Sequence, residues 1–401
     1  MSDSPTSSSR FLSAWTVILG FVVGFALLVW MGKTCTRHDW HTNFTRFHPM
    51  VAPDSMYQPS VDEMCAIVRA RCRPDQILVI VGGNSIMLGV GQPADRMWSR
   101  RLQALLGPHY AVINLAFRGA AATDGGAIVA ETLRSEFPHQ IYIANAAVMQ
   151  AMSPIGLDVY RFMYLDAFHK KRLLPFAPRE AAWNDLLENN YQRLEYREQD
   201  RDAKLDAYLY FHDFWNHWSY TRFFTFPTSL APEYPQAYWP RDRFPDAEND
   251  YLDTPFEARF SPETVKADLL ITSITSESYY SWTADGKWAP VPAAHAAFND
   301  LIRKAFPEPV RKRTLILLGR SSSFYTRRLD PKINARDDIA YRDCVADWIG
   351  AGYHSLEYGR DFQPEDYGDR SHLTTLGGPK LAAIVAPEIK KIAQELGYPK
   401  P

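Results

Sequence analysis

Ile77-Leu78-Val79-Ile80-Val81-Gly82-Gly83-Asn84-Ser85-Ile86-Met87-Leu88-Gly89 is the stretch on which the fold turns. Its first five residues are an unbroken aliphatic run, which suits a buried strand. Two glycines and a polar pair then precede a second apolar run that reads as the start of a helix. A serine therefore stands where a buried strand turns into a helix. In open α/β sheets, sites form at such carboxyl ends of strands.

The same alternation continues outward. Strands are expected at 77–82, 111–116 and 140–144, with helices at 61–71, 94–106 and 122–135. Met97, Trp98, Leu102 and Leu105 give the second of these helices its apolar face. The pattern resumes late, with a strand at 314–318, a helix at 340–349, a short strand at 353–356 and a last helix at 376–396. Strands alternating with helices predict a parallel sheet covered on both faces, a three-layer α/β/α sandwich.

A second motif lies near the far end, Asp369-Arg370-Ser371-His372, just ahead of the last helix. A serine hydroxyl is a poor nucleophile until a histidine takes its proton, and that histidine needs a carboxylate to fix its tautomer. Ser85, His372 and Asp369 supply the three groups. Each has a plainer reading: Ser85 as a helix cap, His372 as a surface histidine capping the last helix, and Asp366 as a competing acid. The spacing favours Asp369.

Together these blocks resemble the SGNH (GDSL-type) hydrolases, whose Ser, Gly, Asn and Asp-x-x-His blocks occur in that order. Gly83-Asn84-Ser85 corresponds to the first, with Asn in place of the commoner Asp. Asn114-Leu115-Ala116-Phe117-Arg118-Gly119 corresponds to the second, Asn145 to the third, and Asp369-Arg370-Ser371-His372 to the fourth. The flanks of Asn145, Ile143 and Ala146, depart from the family's Gly-x-Asn-Asp. The resemblance implies an SGNH or flavodoxin-like sheet over 76–150 and 312–401. It also implies a triad of Ser85, Asp369 and His372, and an oxyanion hole from the Ser85 and Gly119 backbone N–H groups and the Asn145 amide. Asp124 and Arg118 fall near that pocket, Asp124 more naturally as a helix cap.

Charge and composition narrow the classes. The net charge is −2 and charged residues make up 22%, so no nucleic-acid partner is expected. No glycine-rich phosphate loop with its lysine is present. His212 and His217 are five apart, off the spacing that places two imidazoles on one helical face. No metal and no cofactor is expected.

Residues 11–32 carry no charge and span about 33 Å as a helix, enough to cross a bilayer. They read as an uncleaved anchor after a Ser-rich, disordered tail at 1–10, with a linker and leading helix at 33–75. Lys33, Arg37 and Arg46 after the anchor, against Arg10 before it, favour a cytoplasmic domain. The resemblance favours the periplasmic or extracellular side, and the domain is placed there. Cys65 and Cys72 lie two helical turns apart, too far for an easy disulfide, while Cys35 and Cys344 leave several pairings open.

Between the halves, 151–311 is too long for a loop and is expected to be an inserted helical, aromatic-rich subdomain. Its helical stretch near 180–208 leads into the aromatic run 208–226 and a proline-rich loop. Trp215, Trp218, Tyr220, Phe223 and Phe224 suit a subdomain core first and a sugar-stacking platform second, and some suit the membrane surface.

The resemblance implies a membrane-anchored serine esterase or O-acyltransferase that acts on small acyl groups, acetyl above all, of a cell-surface glycan. Its partners would be the acylated glycan, the membrane and a partner acyltransferase or export complex. The rival reading is a catalytically weak scaffold subunit of such a complex.

Overall fold

The computed structural model describes residues 7–35, 61–89, 96–116, 125–146, 261–274 and 306–399, with single positions and short pieces between them. Gly119, Arg118, Asp124, His212, His217, Trp215, Trp218, Tyr220, Phe223, Phe224, the proline-rich loop and the linker beyond residue 35 up to residue 60 lie outside the described residues.

The chain opens with α1 (Ser7–Cys35), long and apolar enough over Ala14–Thr34 to cross a membrane. It begins inside the stretch expected to be disordered, because extending a formed helix by a few residues costs little. Next come α2 (Val61–Arg71), β1 (Ile77–Val81), α3 (Ser85–Leu88), α4 (Trp98–Leu106), β2 (Tyr110–Asn114), α5 (Gly126–Thr132) and β3 (Gln140–Ala146). In the inserted region lie α6 (Pro262–Ile274) and an antiparallel hairpin, β4 (Tyr280–Trp282) with β5 (Trp288–Pro290). The described part of the insertion is thus mixed rather than purely helical. The chain closes with α7 (Glu308–Arg311), β6 (Thr314–Gly319), α8 (Ser323–Thr326), α9 (Pro331–Gly350), β7 (His354–Tyr358) and α10 (Gly377–Glu395).

Five strands form one parallel sheet in the order β2-β1-β3-β6-β7. The chain runs outward in one direction from β1 to β2, then crosses back to β3 and continues the other way. This reversal between β1 and β3 is the switch point at which a doubly wound sheet opens a crevice.

Alternate residues of each strand face opposite ways. Leu78, Ile80, Ile113, Tyr142, Ile316 and Leu318 pack under α2, α5 and α9. Ile77, Val79, Val81, Ile141, Ile143, Leu315 and Leu317 pack under α4, α8 and α10. Helices therefore cover both faces, which is why the strands read as continuous apolar runs rather than alternating ones. Each fully buried Leu, Ile or Val side chain stabilises the fold by about 1.5–3 kcal/mol. α10 lies along α4 on the second face, the same face that carries Ser85's short helix.

Candidate active site

β1 delivers the chain to the switch point, and two glycines turn it there. Gly83 has φ +91°, a backbone region that side chains avoid, and a Cβ at that position would run into the Asn145 amide oxygen. A Cβ on Gly82 would overlap the ring of Tyr142 on the neighbouring strand. Asn84 then caps α3, its Oδ1 accepting the Ile86 N–H at 3.0 Å. Asn84, not Ser85, is the capping residue, so the Ser85 hydroxyl is released from that role. α3 ends after one turn at Gly89, in the left-handed conformation.

Ser85 Oγ lies 2.7 Å from His372 Nε2, and His372 Nδ1 lies 2.6 Å from Asp369 Oδ2. A carboxylate only accepts, so Nδ1 carries the hydrogen and donates to Asp369. That leaves Nε2 of a neutral ring as acceptor for the Ser85 hydroxyl. The three groups form one hydrogen-bonded line across 287 residues of sequence.

His372 and Asp369 sit on a tight loop closed by a bridge between Tyr367 and Leu373 and by the Gly368 N–H donating to the His372 carbonyl at 2.8 Å. Asp369 shapes this loop as well as orienting the ring. Its Oδ1 accepts the backbone N–H groups of Ser371 and His372 at 2.8 and 2.7 Å. Burial pushes the Asp369 carboxyl upward, but the His372 ring, by hydrogen bond and charge, and the two backbone donors outweigh it and hold the pKa down at about 2. A depressed carboxylate stabilises the fold above its ordinary range near ~4, and that contribution is lost as the pH falls through about 2. With 38% of the side chain exposed, solvent screening keeps the contribution small. Asp366, the competing acid, is turned away. Its Oδ2 accepts from Lys380 Nζ at 2.6 Å and from the Gln363 N–H at 2.7 Å, and it serves a 3₁₀ turn at Pro364–Asp366.

Asn145, the last residue but one of β3, meets the nucleophile turn: its Oδ1 accepts the Asn84 N–H at 3.1 Å. The amide is thereby oriented, with its oxygen committed to the nucleophile turn. The expected Gly119 donor lies outside the described residues.

Three buried residues without an expected catalytic role, Trp98, Asn114 and Gln92, hold the two halves in register. The Met87 carbonyl, on Ser85's helix, accepts from Trp98 Nε1 at 2.8 Å and from Asn114 Nδ2 at 3.0 Å. Gln92 accepts the Trp98 N–H at 2.8 Å and donates through Nε2 to the Leu373 carbonyl at 3.0 Å, next to His372. A continuous polar clamp thus runs from the nucleophile turn through Trp98 and Gln92 to the histidine loop. Nothing in the residue types around Gln92 marks it in advance. Asn114 does stand at a strand end and opens the stretch that resembles the Gly block.

The inserted region reaches the same loop. Tyr325 on α8 donates its hydroxyl to Asp268 of α6 at 3.0 Å, and Asp268 lies 3.8 Å from Arg370, between the acid and the base in sequence. The Ser322 N–H donates to the Arg370 carbonyl at 2.8 Å.

Compared with models of protein families and with curated proteins, the chain matches neither.

Proposed function

We propose that the protein is a membrane-anchored serine esterase or O-acyltransferase of the SGNH kind, working through an acyl-serine intermediate. The observation that carries this reading is the Ser85–His372–Asp369 line, with contacts of 2.7 and 2.6 Å. Ser85 Oγ attacks an acyl carbonyl while His372 Nε2 takes the hydroxyl proton, and Asp369 stabilises the imidazolium that forms. The histidine then returns the proton to the departing alkoxide, leaving the acyl group on Ser85. Water regenerates the enzyme by hydrolysis; a sugar hydroxyl does so by transfer.

The negative oxygen of the tetrahedral intermediate needs fixed donors. The family pattern assigns them to the Ser85 and Gly119 backbone N–H groups and the Asn145 amide. The fixed orientation of Asn145 supports its part, since with Oδ1 occupied the remaining polar group on that amide is its NH₂. The proposed substrate is an acetylated glycan, by resemblance. Turnover of an acetyl ester tests the chemistry. Ser85→Ala lowers it by about 10³-fold or more, and adding His372→Ala costs little further, because the two act as one unit. Additive losses would oppose the reading.

α1 is read as the membrane anchor, and the catalytic domain is placed on the periplasmic or extracellular side. Cys65, Cys72 and Cys344 are buried thiols outside any disulfide. They do not oppose that placement: burial pushes Cys72 up to about 11, so its thiol stays protonated and unreactive. Alkaline phosphatase fused to the C-terminus is active only where its disulfides form. Active phosphatase agrees with this placement; inert phosphatase beside a bright green fluorescent fusion puts the domain in the cytoplasm.

A further inference from the structure

We propose that Leu205 and Tyr208–Phe211, within the inserted region, form a second membrane contact that lies on the last turns of α1 at the interface of the bilayer. This rests on reading α1 as a membrane span. From residue 14 to 31 the side chains of α1 are partly or fully exposed, and Gly32 is its one buried residue among those described. Phe25, Val29 and Gly32 follow i, i+4, i+7 spacing and so share one face. That face is where the piece rests. The Tyr210 carbonyl and Cβ approach Gly32 so closely that a Cβ there would collide with them. The ring of Phe211 meets that of Phe25 edge-on, with centroids 5.6 Å apart. The Lys33 ammonium lies 6.0 Å from the centre of the Tyr210 ring. Tyr210 takes a left-handed backbone, φ 55°, a turn that a tyrosine rarely adopts.

The depths agree with a bilayer on both sides of this contact. Gly32 lies two residues inside the end of the apolar span at Thr34, about 3 Å at the helical rise, so the Tyr210 backbone stays at the polar interface. Phe25 lies nine residues inside, about 14 Å, so only the Phe211 side chain reaches toward the hydrocarbon. Leu205 and Tyr208 point away from the protein, 51% and 77% exposed, beside a helix whose Phe21 and Trp30 are 76% and 63% exposed. Apolar and aromatic side chains continuous with a membrane span suit the acyl-chain and glycerol layer, where tyrosine is favoured. A second contact ties the inserted region to the bilayer.

The test uses the full-length chain carrying Cys35→Ser, reconstituted into vesicles of phosphatidylcholine and phosphatidylglycerol. The three buried thiols stay unlabelled under native conditions. A nitroxide is attached at Tyr208→Cys or, as reference, at Leu27→Cys, and its collisions with oxygen and with a water-soluble nickel chelate are compared. The inference expects the oxygen-to-nickel ratio at 208 to lie well above that of a water-exposed label and below that at 27, as for a label at the headgroup level. A lipid-exposed 27 with a water-exposed 208 overturns the inference and leaves the span standing. A water-exposed 27 overturns the span, and the inference with it. Adding Gly32→Leu is expected to move the label at 208 into water without moving the label at 27. An unchanged label at 208 would deny that Gly32 seats the piece.

Discussion

Ser85 and His372 meet at 2.7 Å, yet the two are held in place by different means. Ser85 leaves the inner strand β1 through two glycines packed against the Tyr142 ring and the Asn145 amide, and its helix is pinned by two donors on the Met87 carbonyl. His372 rides a loop beyond β7 whose shape comes from polar contacts: Asp369 accepting two backbone N–H groups, Gln92 reaching the Leu373 carbonyl, and Arg370 facing Asp268. The nucleophile turn is anchored in the apolar core through Met87 and Leu88 as well as by hydrogen bonds; the histidine loop leans more on hydrogen bonds. A single polar substitution is therefore expected to displace the histidine while leaving the serine and the fold where they are.

The largest break in this contrast is Asp369→Asn. The new side chain retains an oxygen for the Ser371 and His372 N–H groups, so the loop keeps its shape. Its amide favours the wrong imidazole tautomer, and turnover of an acetyl ester falls by up to about 10⁴-fold with the melting temperature nearly unchanged. Asp366→Asn, whose carboxylate bonds Lys380 and the Gln363 N–H rather than a triad residue, leaves turnover within about twofold. The reverse ranking would exchange the two acids.

A smaller effect separates position from presence. Gln92→Leu removes the donor to the Leu373 carbonyl and the acceptor for Trp98 while leaving Ser85, His372 and Asp369 intact. The histidine loop then loosens against the nucleophile turn, and kcat falls by roughly tenfold with KM unchanged, since binding is untouched and alignment is not. A matched loss of kcat and melting temperature, with KM rising, would mean that Gln92 serves only the fold.

Much of this arrangement is legible in the sequence where backbone pattern dictates it. The aliphatic runs of β1, β3 and β6 announce a sheet covered on both faces, and Asp369-x-x-His372 announces a loop because its carboxylate can bond the next N–H groups on. The beginning of α9 is less legible by periodicity, since its buried apolar residues start only at Ala340. Asp330 followed by Pro331 is nonetheless a helix-start signal, and Asp330 does accept the Lys332 N–H at 2.7 Å. Likewise Asp285-Gly286, between Tyr280-Ser281-Trp282 and Trp288-Ala289-Pro290, carries a hairpin signal that an expectation of helix passes over. α4 begins at Trp98 rather than residue 94, and Gln92, six residues before it, satisfies its first N–H. The reach of that clamp to the histidine loop is illegible in the sequence. It joins residues 281 positions apart through a side chain whose type has no fixed role.

The central claim is that Ser85 is a nucleophile made reactive by His372 and Asp369, and a fluorophosphonate probe tests it most directly. Incubated with the full-length protein and mapped by peptide mass, the probe is predicted to form one adduct, on Ser85. Ser85→Ala abolishes that adduct, and His372→Ala slows its formation by about 10³-fold. Labelling at another residue, or equal labelling of the wild-type protein and the His372→Ala variant, would contradict the account.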